Sequence, residues 1–290
     1  MSPENTFRRI AVAANPTAEG ALEKAQVVAR YLKAGGVEAI FGRMDDPGLR
    51  QPVLDGEIDL MIALGGDGTM LRAGHLCAPV DVPVIGIHLG SFGFLTEIQE
   101  NRWRQDIPQL FTEKVWFERR MMLRVEHWRE GQEMGGWEAL NEAFVGHGEV
   151  KRPVHLEVEV DGHLLATYVS DGLIVATPTG STAYALAAGG PILPPDLRNI
   201  LVVPVAPHLA IDRAIVLAEG SSIEILLRVS FKGVLSVDGQ EPIPLSDGDR
   251  VKVCASEHTV RFARLQDPAY FYRNIRRYLN RNPFAGARTV

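Results

Sequence analysis

The sequence predicts an α/β domain with a parallel sheet in the first third of the chain, followed by an all-β sandwich. In the first third, short apolar runs alternate with segments of helical period. From about Trp116 the pattern changes to apolar residues that alternate with polar ones, as in Leu156 to Val160. The length of 290 residues is enough for two domains, each with its own core.

In the first domain, four apolar runs predict strands: Ile10 to Ala14, Val37 to Phe41, Asp59 to Leu64 and Val82 to Leu89. Between the first two, apolar residues recur at helical spacing until Gly35-Gly36 ends the predicted helix. A further helix is predicted over Asn101 to Thr112. Apolar strands separated by helices are typical of a parallel sheet that is covered on both faces.

In the second region, Asp161-Gly162 predicts a hairpin turn between two strands with alternating patterns. A β-rich stretch continues through Leu164 to Ala176, and the pattern goes on at Leu201 to Val205, Ile223 to Leu227, Val234 to Val237 and Val251 to Cys254. Helical spacing is confined to Ser181 to Ala188 and to the tail, Tyr270 to Leu279. Many short strands with few helices are typical of a sandwich of two sheets.

The composition limits the class of protein. The chain is 46% hydrophobic and 23% charged, and its net charge of −6 gives no basic surface for nucleic acid. Its apolar runs fall short of the roughly 20 residues that span a bilayer, and its first residues are not expected to act as a signal peptide. The two cysteines, Cys77 and Cys254, lack metal-ligand spacing and are expected to be buried thiols. We therefore expect a cytoplasmic protein that binds neither nucleic acid nor membrane.

The first motif is Gly65-Gly66-Asp67-Gly68, which comes directly after the apolar run Leu60 to Leu64. Ligands of open α/β sheets bind beyond the carboxyl ends of the strands. Glycines let a ligand approach the backbone, and N–H groups at the start of the next helix can face anionic oxygens. The carboxylate of Asp67 can act as a general base toward a hydroxyl. The alternative is an Asp-Gly turn with a helix cap, and the motif matches neither Walker A nor Gly-x-Gly-x-x-Gly.

The second motif lies within residues 170–192, where an apolar strand runs into a loop rich in hydroxyls. Four hydroxyl residues surround Gly180: Thr177, Thr179, Ser181 and Thr182. Together with backbone N–H groups, such hydroxyls suit the oxygens of a phosphate or a ribose. Asp171 can accept a hydrogen bond from an amide, and Tyr184 can stack on a base. The alternative is a purely structural loop.

The third motif is Asn141-Glu142, which interrupts an otherwise apolar strand over residues 139–145. Side chains alternate between the two faces of a strand, so one of the two polar groups must point inward or into a cleft. A cleft-facing pair of this kind can hold a vicinal diol. A strand edge or a bulge is the alternative.

Together the three motifs resemble those of the NAD kinases. Their Gly-Gly-Asp-Gly signature, Asn-Glu pair and Thr-Pro-Thr-Gly-Ser-Thr-Ala-Tyr loop correspond to residues 65–68, 141–142 and 177–184. Residues 86–97, 118–123, 236–240 and 271–273 are also similar to sequences of that family. The first signature is shared with diacylglycerol kinases and phosphofructokinases, whereas the combination is specific. The resemblance covers nearly the whole chain in order.

The resemblance implies a reaction, the transfer of a phosphoryl group from ATP to the 2′-hydroxyl of the adenosine ribose of NAD. It implies a Rossmann-like α/β domain over residues 1–115 and a dinucleotide-binding β-sandwich over residues 116–265, with the active site between them. Residues 266–290 would pack back on the α/β domain. A homodimer or homotetramer is also implied.

The resemblance further implies roles for individual residues, with Asp67 as the proton acceptor. It assigns nucleotide binding to Gly65, Gly66, Gly68, Arg72, Asn141, Glu142, Arg152, Asp171, Thr179, Thr182, Ala183, Tyr184, Ala185, Leu186, Ala187 and Gln240. A divalent ion, Mg²⁺, is expected to be held mainly by the donor phosphates, and no protein residue is assigned as a metal ligand.

The sequence departs from the family pattern in residues 207–217. His208 and Arg213 match, but Ala210-Ile211-Asp212 replaces a pair of hydroxyl residues and leaves their contact with the donor open. Two other functions also stay open: a kinase for a lipid or sugar hydroxyl with the same glycine loop, and a nucleotide sensor without catalysis. The choice between ATP and polyphosphate as donor, and the use of NADH as acceptor, stay open as well.

Overall fold

The fold is known from a computed structural model that describes residues 7–90, 93–148, 152–208, 212–229 and 231–279. Residues 276–279 are described by their backbone alone. The chain forms two compact units. The first contains the chain up to Glu118 and again from Arg261 onward, and the second is Arg119–Val260.

The first unit is built on a parallel sheet. Its elements are, in chain order, β1 (Arg9–Ala14), α1 (Ala21–Ala34), β2 (Glu38–Arg43), α2 (Pro47–Leu54), β3 (Leu60–Gly65), α3 (Asp67–Cys77), β4 (Val84–His88), β5 (Ile98–Gln99) and α4 (Trp103–Asp106). The strands lie in the order β2-β1-β3-β4, all parallel, and β5 pairs with β4 in the same direction.

The core of the first unit forms where α1 covers the sheet. The buried face of α1 carries Ala25, Val28 and Leu32, which belong to one apolar cluster with residues of β1, β3 and β4. The helix ends at Gly35, as predicted, and Gly36 continues the chain with φ of 85°. In the sheet, β3 and β4 are parallel and Gly65 pairs with His88. The carboxyl ends of these two strands therefore lie side by side at one edge of the sheet.

The second unit contains two antiparallel sheets. The elements that follow α4 are β6 (Trp116–Arg129), β7 (Gln132–Ala139), β8 (Glu142–His147), β9 (Val154–Val160), β10 (His163–Ser170), β11 (Gly172–Ala176), α5 (Tyr184–Ala187), β12 (Asn199–Val205), β13 (Ile215–Ala218), β14 (Ile223–Arg228), β15 (Gly233–Val237), β16 (Ile243–Leu245), β17 (Arg250–Arg264) and α6 (Tyr270–Leu279). One sheet has the order β13-β12-β11-β8-β15-β16, and β10-β9-β14-β17 form the other with the hairpin β6-β7. Side chains of both sheets, such as Val145 and Leu156, share one buried cluster.

This architecture confirms the predicted fold class, an α/β region followed by a β-sandwich with a C-terminal helix. The hairpin predicted at Asp161-Gly162 joins β9 to β10. The chain passes from one unit to the other within β6 and again within β17. No helix in the described ranges is both long and apolar enough to cross a membrane.

Three predicted elements are wrong in detail. The helix predicted over Asn101 to Thr112 is only α4 followed by a 3₁₀ turn, because Pro108 has no N–H to continue the α-helical ladder. The helix predicted over Ser181 to Ala188 is a 3₁₀ turn and the single turn α5, which are separated by Ala183 in a non-helical conformation. The single strand predicted over residues 139–145 is the junction of β7 and β8.

A buried ionic cluster fixes the start of β17. The Asp249 side chain is 1% exposed and accepts hydrogen bonds from Arg129 Nε at 2.8 Å, from His127 Nε2 at 2.9 Å and from the Ser246 amide at 2.8 Å. Burial alone would raise the pKa of Asp249, but the bonds from Arg129, Ser246 and His127 outweigh it and lower the pKa to about 2.

We expect Asp249→Asn to destabilise the protein at pH 7 by about 2 kcal/mol or more, because the variant loses the carboxylate on which these donors converge. The contribution of a carboxylate with a lowered pKa is complete above its ordinary pKa and disappears as the pH falls toward about 2. The difference in unfolding free energy between the variant and the wild type should therefore shrink between pH 4 and pH 2. Urea unfolding at several pH values measures it, and a difference that stays constant over this range would contradict the assignment.

Candidate active site

Asp67 lies where the parallel sheet ends. The strand β3 is buried along its whole length and stops at Gly65, Gly66 precedes the helix, and Asp67 is the first residue of α3. Its side chain is half-buried, whereas Gly68 next to it is exposed. The structure thus confirms that the motif joins a buried strand to a helix. As in any α-helix, the first N–H groups of α3 have no hydrogen-bond acceptor within the helix.

The carboxylate of Asp67 is held by the backbone of the segment that follows β4. Phe94 N–H donates to Oδ2 at 2.7 Å and Leu95 N–H donates to Oδ1 at 2.9 Å. The chain approaches Asp67 so closely that a Cβ on Gly93 would lie 2.5 Å from the Asp67 Cγ. Any side chain at position 93 would therefore displace the carboxylate. These contacts fix the direction of both oxygens and still leave lone pairs for a ligand.

Arg72 shares the helix α3 with Asp67, and its side chain is exposed. The two residues are five positions apart, which corresponds to roughly 140° around an α-helix. The helix itself therefore does not aim Arg72 at the carboxylate, and a role in phosphate binding stays a prediction.

In the second unit, Asn141 and Glu142 sit at the turn between β7 and β8. The carboxylate of Asp238 accepts hydrogen bonds from three successive amides, those of Leu140 at 2.7 Å, Asn141 at 2.8 Å and Glu142 at 2.9 Å. Asp238 follows β15 with φ of 49°, and its own amide donates to the Glu142 carbonyl at 2.9 Å. This carboxylate replaces the ladder hydrogen bonds that a continuous strand would have made.

The loop after β11 is tied to the same turn. Thr177 N–H donates to the Asn141 carbonyl at 2.8 Å, and the Thr177 hydroxyl donates to the Leu140 carbonyl. A Cβ on Gly180 would lie 2.6 Å from the Asn141 carbonyl carbon, so the backbones of the two segments are in direct contact at Gly180. The structure therefore brings together the second and third motifs of the sequence.

Glu142 has an unusual environment in this cluster. Burial raises the pKa of its carboxyl group to about 7, the nearby charge of Asp238 acts in the same direction, and the Tyr184 amide opposes both by donating to the carboxylate. Its Oε2 is buried and accepts no hydrogen bond from the residues that the structure describes. A buried acceptor without a donor destabilises the folded protein, and a ligand that supplies a donor removes this penalty.

The hydroxyls of the loop mainly stabilise the loop itself. The Ser181 hydroxyl donates to the Pro178 carbonyl at 2.6 Å, and Thr182 donates to the Thr179 carbonyl at 3.1 Å. The Thr179 hydroxyl accepts from Arg120 Nη1 at 3.0 Å. The expected open cluster of hydroxyls is thus largely turned inward, and ligand contacts of Thr179 and Thr182 remain predictions.

The residues of α5 and those around it differ in access. Ala185 is fully buried among apolar residues of β11 and β12, so a ligand can reach it only through backbone atoms. Leu186 and Ala183 are partly exposed, Ala187 is exposed, and the Tyr184 ring is 42% exposed. Tyr184 also contacts Phe144, with ring centroids 5.6 Å apart. One side of the tyrosine ring is therefore accessible for stacking.

For three other predicted residues, the structure shows no contact with Asn141 or Glu142 among the described residues. Asp171 precedes β11, at the end of the strand opposite Thr177, which is about 20 Å away at 3.3 Å per residue. Arg152 is exposed before β9. Gln240 is exposed two residues after Asp238 and donates through its amide to the Val237 carbonyl. The binding roles of these three residues stay predictions.

The variant segment 207–217 is described only in part. Ala210 and Ile211 lie outside the described residues. His208 donates through its amide to the Val169 carbonyl at 2.7 Å, and Arg213 is exposed and pairs with Asp212 at 3.4 Å.

The sequence analysis missed the groups that hold the site residues in place. They are the amides of Phe94 and Leu95, the carboxylate of Asp238 and the guanidinium of Arg120. Asp238 had a sequence signal, because Asp-Gly after an apolar strand predicts a residue with positive φ whose carboxylate is available to nearby amides. The amides of Phe94 and Leu95 had no sequence signal, because every residue except proline carries a backbone N–H.

The chain matches two models of known families. Residues 48–115 match the ATP-NAD kinase N-terminal domain, and residues 140–265 match the ATP-NAD kinase C-terminal domain. Both motifs of the second unit lie inside the second match, and Asp67 lies inside the first.

Whole-chain relatives agree with these models. The NAD kinase of Chloroflexus aggregans is 39% identical over 276 residues, which cover 95% of this chain and 100% of that one. The NAD kinase of Symbiobacterium thermophilum is 39% identical and covers 90% of this chain and 94% of its own.

Solved structures show the same fold. A yeast NADH kinase in complex with NADH superposes with a TM-score of 0.84 at 25% identity, covering 98% of this chain and 90% of that one. An NAD kinase from Archaeoglobus fulgidus in complex with ATP gives 0.73 at 25% identity, covering 92% and 97%. An α/β unit and a β-sandwich with these motifs define a nucleotide kinase fold. This chain belongs to the NAD kinase family.

We expect a carbon-detected NMR titration to place the pKa of Glu142 near 7. Asp238→Asn should lower this pKa toward the ordinary value, because the variant removes the neighbouring negative charge. The matched control is Asp161→Asn, which changes another Asp-Gly turn of positive φ whose carboxylate accepts a backbone amide, that of Ser222. An equal shift in both variants, or none in Asp238→Asn, would refute this electrostatic account.

Glu142→Gln should stabilise the folded protein at pH 8, because the wild type must keep a buried carboxylate charged there. A carboxyl group with a raised pKa loses stability as the pH rises from its ordinary pKa of about 4.5 to about 7. The gain in unfolding free energy should reach about 3 kcal/mol above pH 7 and vanish below pH 4.5. Urea titrations of both proteins across this range measure it. A gain that does not depend on pH would exclude ionisation of Glu142 as its cause.

Proposed function

We propose that the protein transfers the γ-phosphoryl group of ATP to the 2′-hydroxyl of the adenosine ribose of NAD, which yields NADP and ADP. The observation that carries the proposal is the Asp67 carboxylate, fixed at the carboxyl end of β3 by two backbone amides in a chain of the NAD kinase family. A carboxylate that backbone amides orient suits a base for a hydroxyl.

In the proposed reaction, the 2′-oxygen forms a bond to the γ-phosphorus while its proton passes to Asp67. The bond from the γ-phosphorus to the oxygen that bridges to the β-phosphorus breaks, and its electron pair leaves with ADP. Asp67 then releases the proton to solvent. Each carboxylate oxygen receives one amide hydrogen bond, and a carboxylate has about four acceptor positions, so the hydroxyl can bind without displacing either amide.

Donor phosphates would bind at the start of α3. The helix is eleven residues long, and Gly66 and Gly68 add no side chain that blocks an approach to its first N–H groups. These groups carry the positive end of the helix dipole and attract anionic oxygens.

The acceptor would bind through Asn141 and Glu142. The buried Oε2 of Glu142, which has no hydrogen-bond partner within the described part of the chain, can accept a hydrogen bond from a ribose hydroxyl, and this supports the proposal. The exposed ring of Tyr184 offers a face for a base. We propose that the remaining residues predicted from the sequence contact the two nucleotides as well.

Phosphoryl transfer requires charge neutralisation, for which we propose Mg²⁺ bound through the donor phosphates. Among the described residues, no three His, Cys, Asp or Glu side chains lie close enough together to hold a metal ion. The donor phosphates would then supply most ligands of the ion, and no step of the mechanism is assigned to it.

We further propose that the protein forms a homodimer or homotetramer. The edge strand β10 carries Leu164, which is 66% exposed, and the edge strand β13 carries Val216, which is 46% exposed. Edge strands with exposed apolar side chains suit pairing with a second chain. Light scattering after size exclusion measures the mass that decides this point.

A location in the cytoplasm completes the proposal. Both Cys77 and Cys254 are free thiols, and burial raises the pKa of the Cys77 thiol. Free thiols of this kind suit a reducing compartment.

An assay of NADP formation tests the proposed function. The purified protein is supplied with NAD and Mg²⁺, and with either ATP or inorganic polyphosphate, and NADH replaces NAD in parallel samples. NADP in the ATP sample supports the proposal, and the other samples measure the range of donors and acceptors. No product with any combination would refute it, and diacylglycerol and fructose 6-phosphate are then the acceptors to compare.

Asp67→Asn should lower kcat by about 10²–10⁴-fold, because an amide cannot take the proton of the hydroxyl. The affinity for NAD, measured by calorimetry, should change much less. Asp46→Asn is the matched control, since Asp46 also lies at the start of a helix and accepts a backbone amide, that of Gly48 at 2.8 Å. A value of kcat close to that of the wild type in Asp67→Asn would remove the residue from the mechanism.

A further inference from the structure

A cluster of buried charged side chains contacts the segment of Phe94 and Leu95, whose amides hold the Asp67 carboxylate. Arg264, near the end of β17, is completely buried, and its Nε donates to Glu118 at 2.9 Å. Its Nη1 donates to Glu97 at 3.2 Å. Tyr270 donates its hydroxyl to Glu118 at 2.9 Å, and its ring centroid lies 4.7 Å from the guanidinium carbon of Arg264. We call Glu97, Glu118, Arg264 and Tyr270 the Arg264 cluster.

The cluster keeps its cation charged. Burial alone would lower the pKa of Arg264, but the interactions with Tyr270, Glu118 and Glu97 outweigh it and raise the pKa. Charges taken out of water are costly, and such an ion pair often stabilises a fold no better than apolar residues of the same size. Stability alone is therefore a weak reason for three charged side chains at this place.

The cluster reaches Asp67 through a single residue. Arg264 Nη1 donates to the Leu95 carbonyl at 3.1 Å, and the Leu95 amide donates to Asp67 Oδ1 at 2.9 Å. The two groups belong to successive peptide planes that meet at the Leu95 Cα, so the hydrogen bond to the carbonyl fixes one plane and restricts the backbone dihedrals that orient the other. A rotation of this residue would break both bonds.

Glu97 holds the far end of the same segment. Its Oε1 accepts hydrogen bonds from the amides of Leu265 at 2.9 Å and Gln266 at 2.8 Å, and its own amide donates to the Gly86 carbonyl in β4 at 3.1 Å. At the near end, Gly93 lies against the Asp67 carboxylate. The segment from Gly93 to Glu97 is thus fixed at Asp67, at Arg264 and at β4.

We propose that Arg264 is a positioning residue for Asp67. It holds the Leu95 carbonyl, and through it the amide that aims the carboxylate, in the orientation that proton transfer requires. Arg264 itself touches no substrate. The inference rests on the proposed function in so far as Asp67 is the base, whereas the hydrogen-bonded connection can be measured in a protein without activity.

Arg264→Lys tests the proposal because it keeps a cation but cannot donate to Glu118, Glu97 and Leu95 in the same planar arrangement. We expect kcat to fall by about 10²-fold, as a small misplacement of a reacting group does. The KM values for NAD and ATP should stay within about twofold, because the variant loses an interaction that matters in the transition state. Hydrogen exchange at the amides of Phe94 and Leu95 should accelerate at least ~10-fold, while exchange in β1 stays unchanged.

Asp249→Asn is the control for loss of stability. It also breaks a buried ionic cluster, but the described contacts of Asp249 include none of the residues of the candidate site. It should lower the melting temperature and leave kcat and the exchange of the Leu95 amide unchanged. If Arg264→Lys does not fold, Glu97→Gln replaces it, because an amide at position 97 can still accept from Leu265 while its contact with Arg264 is weakened.

The outcomes separate the two proposals. A large fall in kcat with constant KM and faster exchange at Leu95 supports the role of Arg264. A fall in kcat that only follows the folded fraction, or unchanged exchange at Phe94 and Leu95, overturns it. If the wild type makes no NADP with any donor, the proposed function fails, and the exchange at Leu95 then decides alone whether Arg264 positions this segment.

Discussion

Two hydrogen bonds, from the amides of Phe94 and Leu95 to the carboxylate of Asp67, are the constraint on which the first half of the site depends. A carboxylate at the first position of a helix could rotate freely or cap its own helix. Here it is tied to the segment that follows the neighbouring strand. The parallel sheet makes this possible, because β3 and β4 end at the same edge. The position of the Asp67 carboxylate thus follows from the order of the strands.

The second unit also contains hydrogen bonds between a carboxylate and backbone amides, but here the carboxylate holds the backbone in place. The carboxylate of Asp238 collects three amides, and in doing so it shapes the backbone turn that presents Asn141 and Glu142. Irregular segments have no ladder to satisfy their N–H groups, so an acidic side chain takes its place. The energetic consequence falls on Glu142, whose carboxyl group is buried beside a negative charge. The unfavourable interactions of Glu142 are therefore electrostatic.

Sequence patterns predict the parts of this molecule that depend on local periodicity. The strand ending at Gly65, the helix ending at Gly35 and the β-rich second region all follow from apolar spacing and from glycine. Motifs predicted Asp67 and the Asn141-Glu142 pair as site residues, and the similarity to known proteins established the family.

The parts that the sequence did not predict depend on contacts between distant segments. The partners of Asp67 lie 27 and 28 residues away, and Asp238 lies 96 residues or more from the amides that it binds. Backbone donors leave no mark in a sequence. The inward direction of the Ser181 and Thr182 hydroxyls was equally hidden, because a hydroxyl suits a carbonyl and a phosphate alike.

The central claim is that Asp67, fixed in this way, faces the hydroxyl that is phosphorylated. A crystal structure with NAD and a non-hydrolysable ATP analogue tests it most directly, through the distance from the Asp67 carboxylate to the 2′-oxygen of the adenosine ribose. The account predicts a hydrogen bond of about 2.6–3.2 Å, with the amides of Phe94 and Leu95 still bound to the same carboxylate. A 2′-hydroxyl that instead contacts another side chain, with Asp67 facing solvent, would contradict it.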